Sequence, residues 1–173
     1  MNTPTAKLMI LLGDRFACVK VTGRANFATS VDFKTILTEL SAKDYSYYVI
    51  ELSECSLMDS TFLGVLAAFG AKINPPESDC ATQLIELRNA NERLLELLEN
   101  LGVIHLFKTC QGELPKCEEI NPAVCNPSRE ALTRASLEAH QVLMEINPQN
   151  VTRFKDVTKF LAEDLEKMKS KPE

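Results

Sequence analysis

Residues 47–70, YYVIELSECSLMDSTFLGVLAAFG, constrain the fold more than any other stretch of the chain. The first six residues are a near-continuous apolar run, the pattern of a strand covered on both faces. A turn follows at Met58–Asp59, and residues 60–71 carry no charged side chain. A core helix explains the apolar residues, and with the covered strand it fits a sheet with helices packed on it. Phe62, Val65, Leu66, Phe69 and Ile73 share one bulky stripe suited to such packing. Ser60, Gly64, Ala67, Ala68 and Ala71 form a second, smoother stripe. Apolar packing alone explains neither the smooth stripe nor the Asp59-Ser60-Thr61 tip.

The neighbouring segments supply the rest of the sheet. KLMILLG (7–13) and FACVKVTG (16–23) flank Gly13-Asp14-Arg15, a hairpin signal. Phe27, Val31, Ile36, Leu37 and Leu40 recur at helical spacing and predict a helix over 27–43. TQLIELR (82–88) reads as a strand. Asn91 is placed to cap a helix whose leucines at 94, 95, 97, 98 and 101 share a face, and Gly102 is placed to close it. VIHLF (103–107) reads as a last short strand. The order predicts an α/β domain with a mixed sheet of about five strands and helices packed on it.

Beyond residue 107 the pattern changes. Residues 108–127 carry prolines at 115, 122 and 127 and show no periodicity, as in a linker or surface loop. Two helices follow. Asn126-Pro127 is placed to start the first, with Leu132, Ser136, Ala139, Leu143 and Ile146 along one side. Asn147-Pro148 separates it from the second, whose stripe is Val151, Phe154, Val157, Leu161, Leu165 and Met168. Stripes this narrow on short helices must be covered. The expected division is a main domain over 1–112, a linker over 113–127 and an αα-hairpin over 128–173. The hairpin either folds back on the main domain or pairs with a second copy of the chain.

Charge and composition exclude several classes of function. The net charge is −5, and residues 128–173 hold eight basic and eight acidic side chains, so the acidic excess lies in 1–127. An acidic main domain without a basic run argues against nucleic acid or an anionic membrane as partner. The longest apolar run, FLGVLAAFGA (62–71), is well short of the roughly 20 residues that cross a bilayer. LMILLG is too short for a signal-peptide core, and Asp14 and Arg15 follow closely. These features predict a cytoplasmic protein with reduced thiols. Cys18 and Cys55 lie in apolar strand patterns as small buried hydrophobes. Cys110, Cys117 and Cys125 have neither a CxxC pair nor a nearby histidine, which disfavours a metal site. The two histidines, His105 and His140, lie in a strand and in an appended helix. No glycine-rich phosphate loop, paired-carboxylate constellation or nucleophile–base pair is legible, so no enzyme activity and no cofactor are expected.

VIELSECSLMDSTFLGVL resembles the signature of STAS domains, the sulfate-transporter and anti-sigma-factor-antagonist family. In that family an apolar strand ends in a loop, and an Asp-Ser-Ser/Thr-Gly-Leu/Ile-Gly stretch opens a helix. The matching positions are Asp59, Ser60, Thr61, Leu63 and Gly64. NERLLELLENLGVIHLF resembles the family's last helix and strand, and the resemblance covers roughly residues 5–112. It implies a phosphorylation-controlled switch. Unphosphorylated, the chain would bind an anti-sigma factor that is also a serine kinase, with ATP and magnesium held by that partner; phosphorylated on Ser60, it would let go. Thr61 is the alternative phosphosite. Thr61, Phe62, Leu63, Gly64, Ala67, Ala68 and Ala71 would make the partner-binding surface. Phe62 stands where the family usually has glycine and adds bulk near the helix start. The alternative reading is a constitutive STAS subunit or scaffold, such as the cytoplasmic subunit of a lipid-transport ABC complex.

Physics gives the tip two readings of its own. The first turn of a helix presents unpaired N–H groups and the positive end of the dipole. Asp59 or Ser60 can serve simply as the N-cap. The same environment would also hold a phosphate on Ser60, because helix N-termini bind anions. The smooth stripe likewise suits either a partner or residues 128–173 of the same chain.

Overall fold

The computed structural model describes residues 6–74, 84–122 and 126–171. The chain opens with β1 (Lys7–Leu12) and β2 (Phe16–Ala25), an antiparallel hairpin turning at residues 13–15. Asn26 caps α1 (Phe27–Ser41), accepting from the Ala28 N–H. β3 (Tyr47–Glu51) and the short β4 (Cys55–Met58) lead into α2 (Ser60–Ile73). β5 (Ile85–Arg88) precedes α3 (Glu92–Asn100), capped by Asn91 and closed by Gly102 at φ 72°. Residues 82 and 83 of the expected strand lie outside the described residues.

With β6 (Lys108–Cys110) and β7 (Glu118–Ile120), the sheet is mixed, in the order β6-β5-β3-β2-β1-β7, with β4 pairing alongside β2. β2–β3, β3–β5 and β5–β6 are parallel, while β1 runs antiparallel to both its neighbours. This is the α/β sheet-and-helix fold expected from the sequence. The two additions to the expected strands are β4 and β7 (Glu118–Ile120). β7 lies in the segment read as a linker and adds to the free edge of β1. The expected strand over 103–107 is corrected: Ile104–Leu106 is a 3₁₀ turn, and the strand β6 is Lys108–Cys110.

Alternation along the strands sorts the two faces of the sheet. Val19, Val21, Ile50, Leu52, Ile85 and Leu87 join Phe33, Phe62, Leu63, Leu66, Leu94 and Leu98 in one buried core. Helices α1, α2 and α3 therefore cover the same face. The opposite face carries Cys18, Glu51, Glu86 and Arg88. There Glu86 accepts from the Tyr47 hydroxyl at 2.6 Å and from Arg88, and Glu51 accepts from Ser53 and Asn89. Burial alone would raise the Glu86 carboxyl, but the Arg88 and Tyr47 hydrogen bonds outweigh it and hold the group below its usual range.

Cys18 and Cys55 are buried, and desolvation pushes their thiols up to about 12 and about 11. The thiolate is the reactive form. Both are expected to resist iodoacetamide at mildly alkaline pH until the protein unfolds, while half-buried Cys110 and Cys117 label in the folded state. Peptide mass mapping of the alkylated protein checks this. Cys125 lies outside the described residues.

The C-terminal helices form a third layer. α4 (Arg129–Ile146) is capped by Ser128, two residues later than the Asn126-Pro127 start expected. It packs on α2 and α1, and α5 (Asn150–Ser170) packs on α4. The hairpin thus folds back on the main domain of its own chain. Buried Asn150 fastens it, its side-chain amide donating to Leu101 O at 2.8 Å and Leu143 O at 2.9 Å. The expected α5 stripe is partly corrected: Leu165 is buried, whereas Val151 and Val157 are exposed. α5 has only α4 as a broad partner, so only a narrow side of it is covered.

Candidate functional site

Asp59 organises the tip of α2. One carboxylate oxygen accepts from the Phe62 N–H at 2.9 Å, the N-cap bond of α2. The other accepts from the Phe27 N–H at 2.7 Å. A single side chain therefore joins the first turns of α1 and α2. This decides between the two capping residues: Asp59 is the cap, and the Ser60 hydroxyl is free of that duty. Ser60 sits half-buried at the first helical position, with Phe27 exposed nearby.

The Ser60 hydroxyl finds its partner 80 residues away. Its Oγ lies 2.8 Å from Nε2 of His140 on α4. His140 Nδ1 lies 2.6 Å from the Ser136 carbonyl, which can only accept. Nδ1 therefore carries a ring proton, and Nε2 is the nitrogen that pairs with the Ser60 hydroxyl. His140 is buried, and its ring meets the Phe154 ring with centroids 4.9 Å apart. Thr61 Oγ1 pairs with Ser136 Oγ at 2.8 Å. At the rim, the exposed Lys34 ammonium of α1 donates to Glu138 of α4 at 2.8 Å.

The absence of a nucleophile–base pair, expected from the sequence, is corrected here. Ser60 and His140 have the separation of such a pair. The orienting group, however, is a neutral carbonyl, which fixes the tautomer but does not offset the charge of an imidazolium as a carboxylate would. Sequence reasoning missed the pairing because nothing local connects residues 60 and 140. One signal was present: Ser136 and His140 are polar residues on or beside the apolar stripe of α4. Buried polar groups of that kind need partners.

The expected partner-binding residues divide into three groups. Phe62, Leu63 and Ala67 are buried in the core, which corrects their expected place on a partner surface; α2 is enclosed by the sheet, α1 and α4. Phe62 stacks on Phe33, with ring centroids 4.3 Å apart. Thr61 and Gly64 are buried under α4. A Cβ built on Gly64 would lie 2.4 Å from the Ala139 carbonyl oxygen, so only glycine admits α4 this closely. Ala68 is half-buried and Ala71 is exposed. As phosphosites the two hydroxyls differ accordingly: Ser60 is half-buried, whereas Thr61 is buried and paired.

No group of His, Cys, Asp and Glu among the described residues could hold a metal ion. No helix among them is long and apolar enough to cross a membrane.

No family model matches the sequence, and no curated protein matches it. Solved structures do show similarity to this chain. An anti-sigma factor antagonist from Mycobacterium paratuberculosis covers 61% of this chain and is itself covered over 85%, at 17% identity and a TM-score of 0.52. The anti-sigma factor antagonist SpoIIAA in its unphosphorylated form covers 62% and is covered over 89%, at 12% identity and a TM-score of 0.42. The main domain is STAS-like in fold.

Proposed function

We propose that this chain is an anti-sigma factor antagonist working as a protein-interaction switch. It binds an anti-sigma factor with serine-kinase activity while Ser60 is unmodified and releases it once Ser60 is phosphorylated. The observation that carries this reading is the division of labour at the tip. Asp59 alone caps α2, so the cap does not require the Ser60 hydroxyl, yet that hydroxyl stands half-buried at the first turn, with His140 of α4 as its one tertiary partner among the described residues. The matched solved structure, itself an anti-sigma factor antagonist, supports the same reading.

In the modification, Ser60 Oγ forms a bond to the γ-phosphorus of the partner's ATP. The bond from that phosphorus to the β–γ bridging oxygen breaks, ADP departs, and the hydroxyl proton passes to a base. The product adds about −1.5 to −2 charges. The helix dipole and first-turn N–H groups stabilise that charge within the domain. A partner seated over it meets an unpaired anion.

Incubation with such a kinase and ATP is expected to add one phosphate to the wild type and none to Ser60→Ala, read by intact and peptide mass spectrometry. A phosphate that persists in Ser60→Ala, on Thr61 or elsewhere, overturns the assignment.

A further inference from the structure

The α2 face behind the tip is already occupied, by this chain's own α4. The contact has the anatomy of a docking interface. Its centre holds two side-chain hydrogen bonds, Ser60–His140 and Thr61–Ser136. Its rim holds the exposed Lys34–Glu138 ion pair. Between α1, α2 and α4 a half-open cleft of about 190 Å³ runs over Leu37, Val65, Phe69 and Val142, so α4 does not close fully against the two helices beneath it. A contact held by side-chain hydrogen bonds, edged by an exposed ion pair and flanked by an open cleft is more polar than the core beside it, and such a contact can separate.

We propose that Ser60, Thr61, Gly64 and Ala68 form a helix-docking surface, that α4 is its resting occupant, and that α4 exchanges with a partner's helix. The surface specifies the chemistry of that helix. Opposite Gly64 it presents a small residue, as α4 does with Ala139, whose backbone comes so close that even one carbon added to Gly64 would strike it. Facing Ser60 it must offer a hydrogen-bonding group, as Nε2 of His140 does now. The tether holds α4 at high local concentration, so a partner helix docks only by outcompeting it. One consequence rests on the assignment of Ser60 as the modified residue. A phosphoryl group on Ser60 removes the O–H and places oxygens where Nε2 stands at 2.8 Å. The imidazole is pinned by the Ser136 carbonyl and the Phe154 ring, so docked α4 and phosphoserine exclude each other.

The test uses full-length chains and a labelled peptide of residues 126–147, and no kinase or anti-sigma factor. Its failure is therefore separate from failure of the switch reading. Gly64→Ala leaves α2 itself unharmed, since alanine favours a helix. By hydrogen–deuterium exchange it is expected to speed exchange of α4 amides about tenfold or more, with β2 and β3 unchanged. His140→Ala combined with Leu143→Ala loosens the chain's own α4 without touching α2. The peptide is expected to bind that double variant, but neither the wild type, whose surface is filled, nor the double variant carrying Gly64→Ala. α4 exchanging in step with β3 in every variant, no binding to the double variant, or equal binding with Gly64→Ala added would each overturn the proposal.

Discussion

Phe62→Ala is expected to destabilise the protein by about 3–5 kcal/mol, the cost of truncating a buried aromatic. Phe62 has no exposed surface and stacks on Phe33 with rings 15° from parallel. The ring ties α2 to α1 at the end of the domain where Asp59 ties their first turns together. Its loss removes apolar burial and leaves a cavity between two helices and the sheet, where closure is limited. Urea denaturation followed by far-UV circular dichroism measures the change. In a double-mutant cycle with Phe33→Ala, the stacked pair should add coupling of about 0.5–1.5 kcal/mol beyond area burial. A loss below about 1 kcal/mol would contradict the core position. The position carries glycine in the family this sequence resembles; here it carries a structural ring.

Ser60→Asp is expected to weaken binding to a kinase-type anti-sigma factor by at least tenfold while the main domain stays folded. Two opposing effects decide the outcome. A carboxylate in the first turn gains about 0.3–1 kcal/mol from the helix dipole. Asp59, one residue away, offsets part of that gain by like-charge repulsion. At a desolvated interface the same carboxylate lacks a partner, and an unpaired buried charge costs several kcal/mol. The interface cost is the larger, so affinity falls although the isolated domain tolerates the charge. Titration calorimetry against the partner reads the affinity, and circular dichroism controls for folding. Equal affinity for Ser60→Asp and wild type would favour the constitutive-subunit reading over the switch.

Features that depend on neighbours in the chain were legible. The helix over 60–73, the Asn91 cap and the Gly102 closure all match the structure, because periodicity and capping are written within one turn or two. The covered strand Tyr47–Glu51 was legible for the same reason. The five-residue run at 103–107 was not. VIHLF carries too few residues for its period to separate a strand from a turn, and the strand formed one residue beyond it. β7 has no apolar alternation of its own; the open edge of β1 makes Glu118–Ile120 a strand.

The candidate site divides along the same line. The sequence by itself determined the Asp-Ser-Thr tip, its place at a helix N-terminus and the smooth stripe running from it. These follow from residue type and helical spacing. Only the tertiary structure decided that Asp59 rather than Ser60 is the cap, because that choice depends on a second N–H brought in by α1. It alone decided that Leu63 and Ala67 face the core, that α4 lies against Gly64, and that His140 pairs with the Ser60 hydroxyl. Helical spacing fixes which residues share a stripe but not which way the stripe turns. That direction is set by whichever surfaces gain most from being covered, and here two of those surfaces lie on segments 80 residues apart.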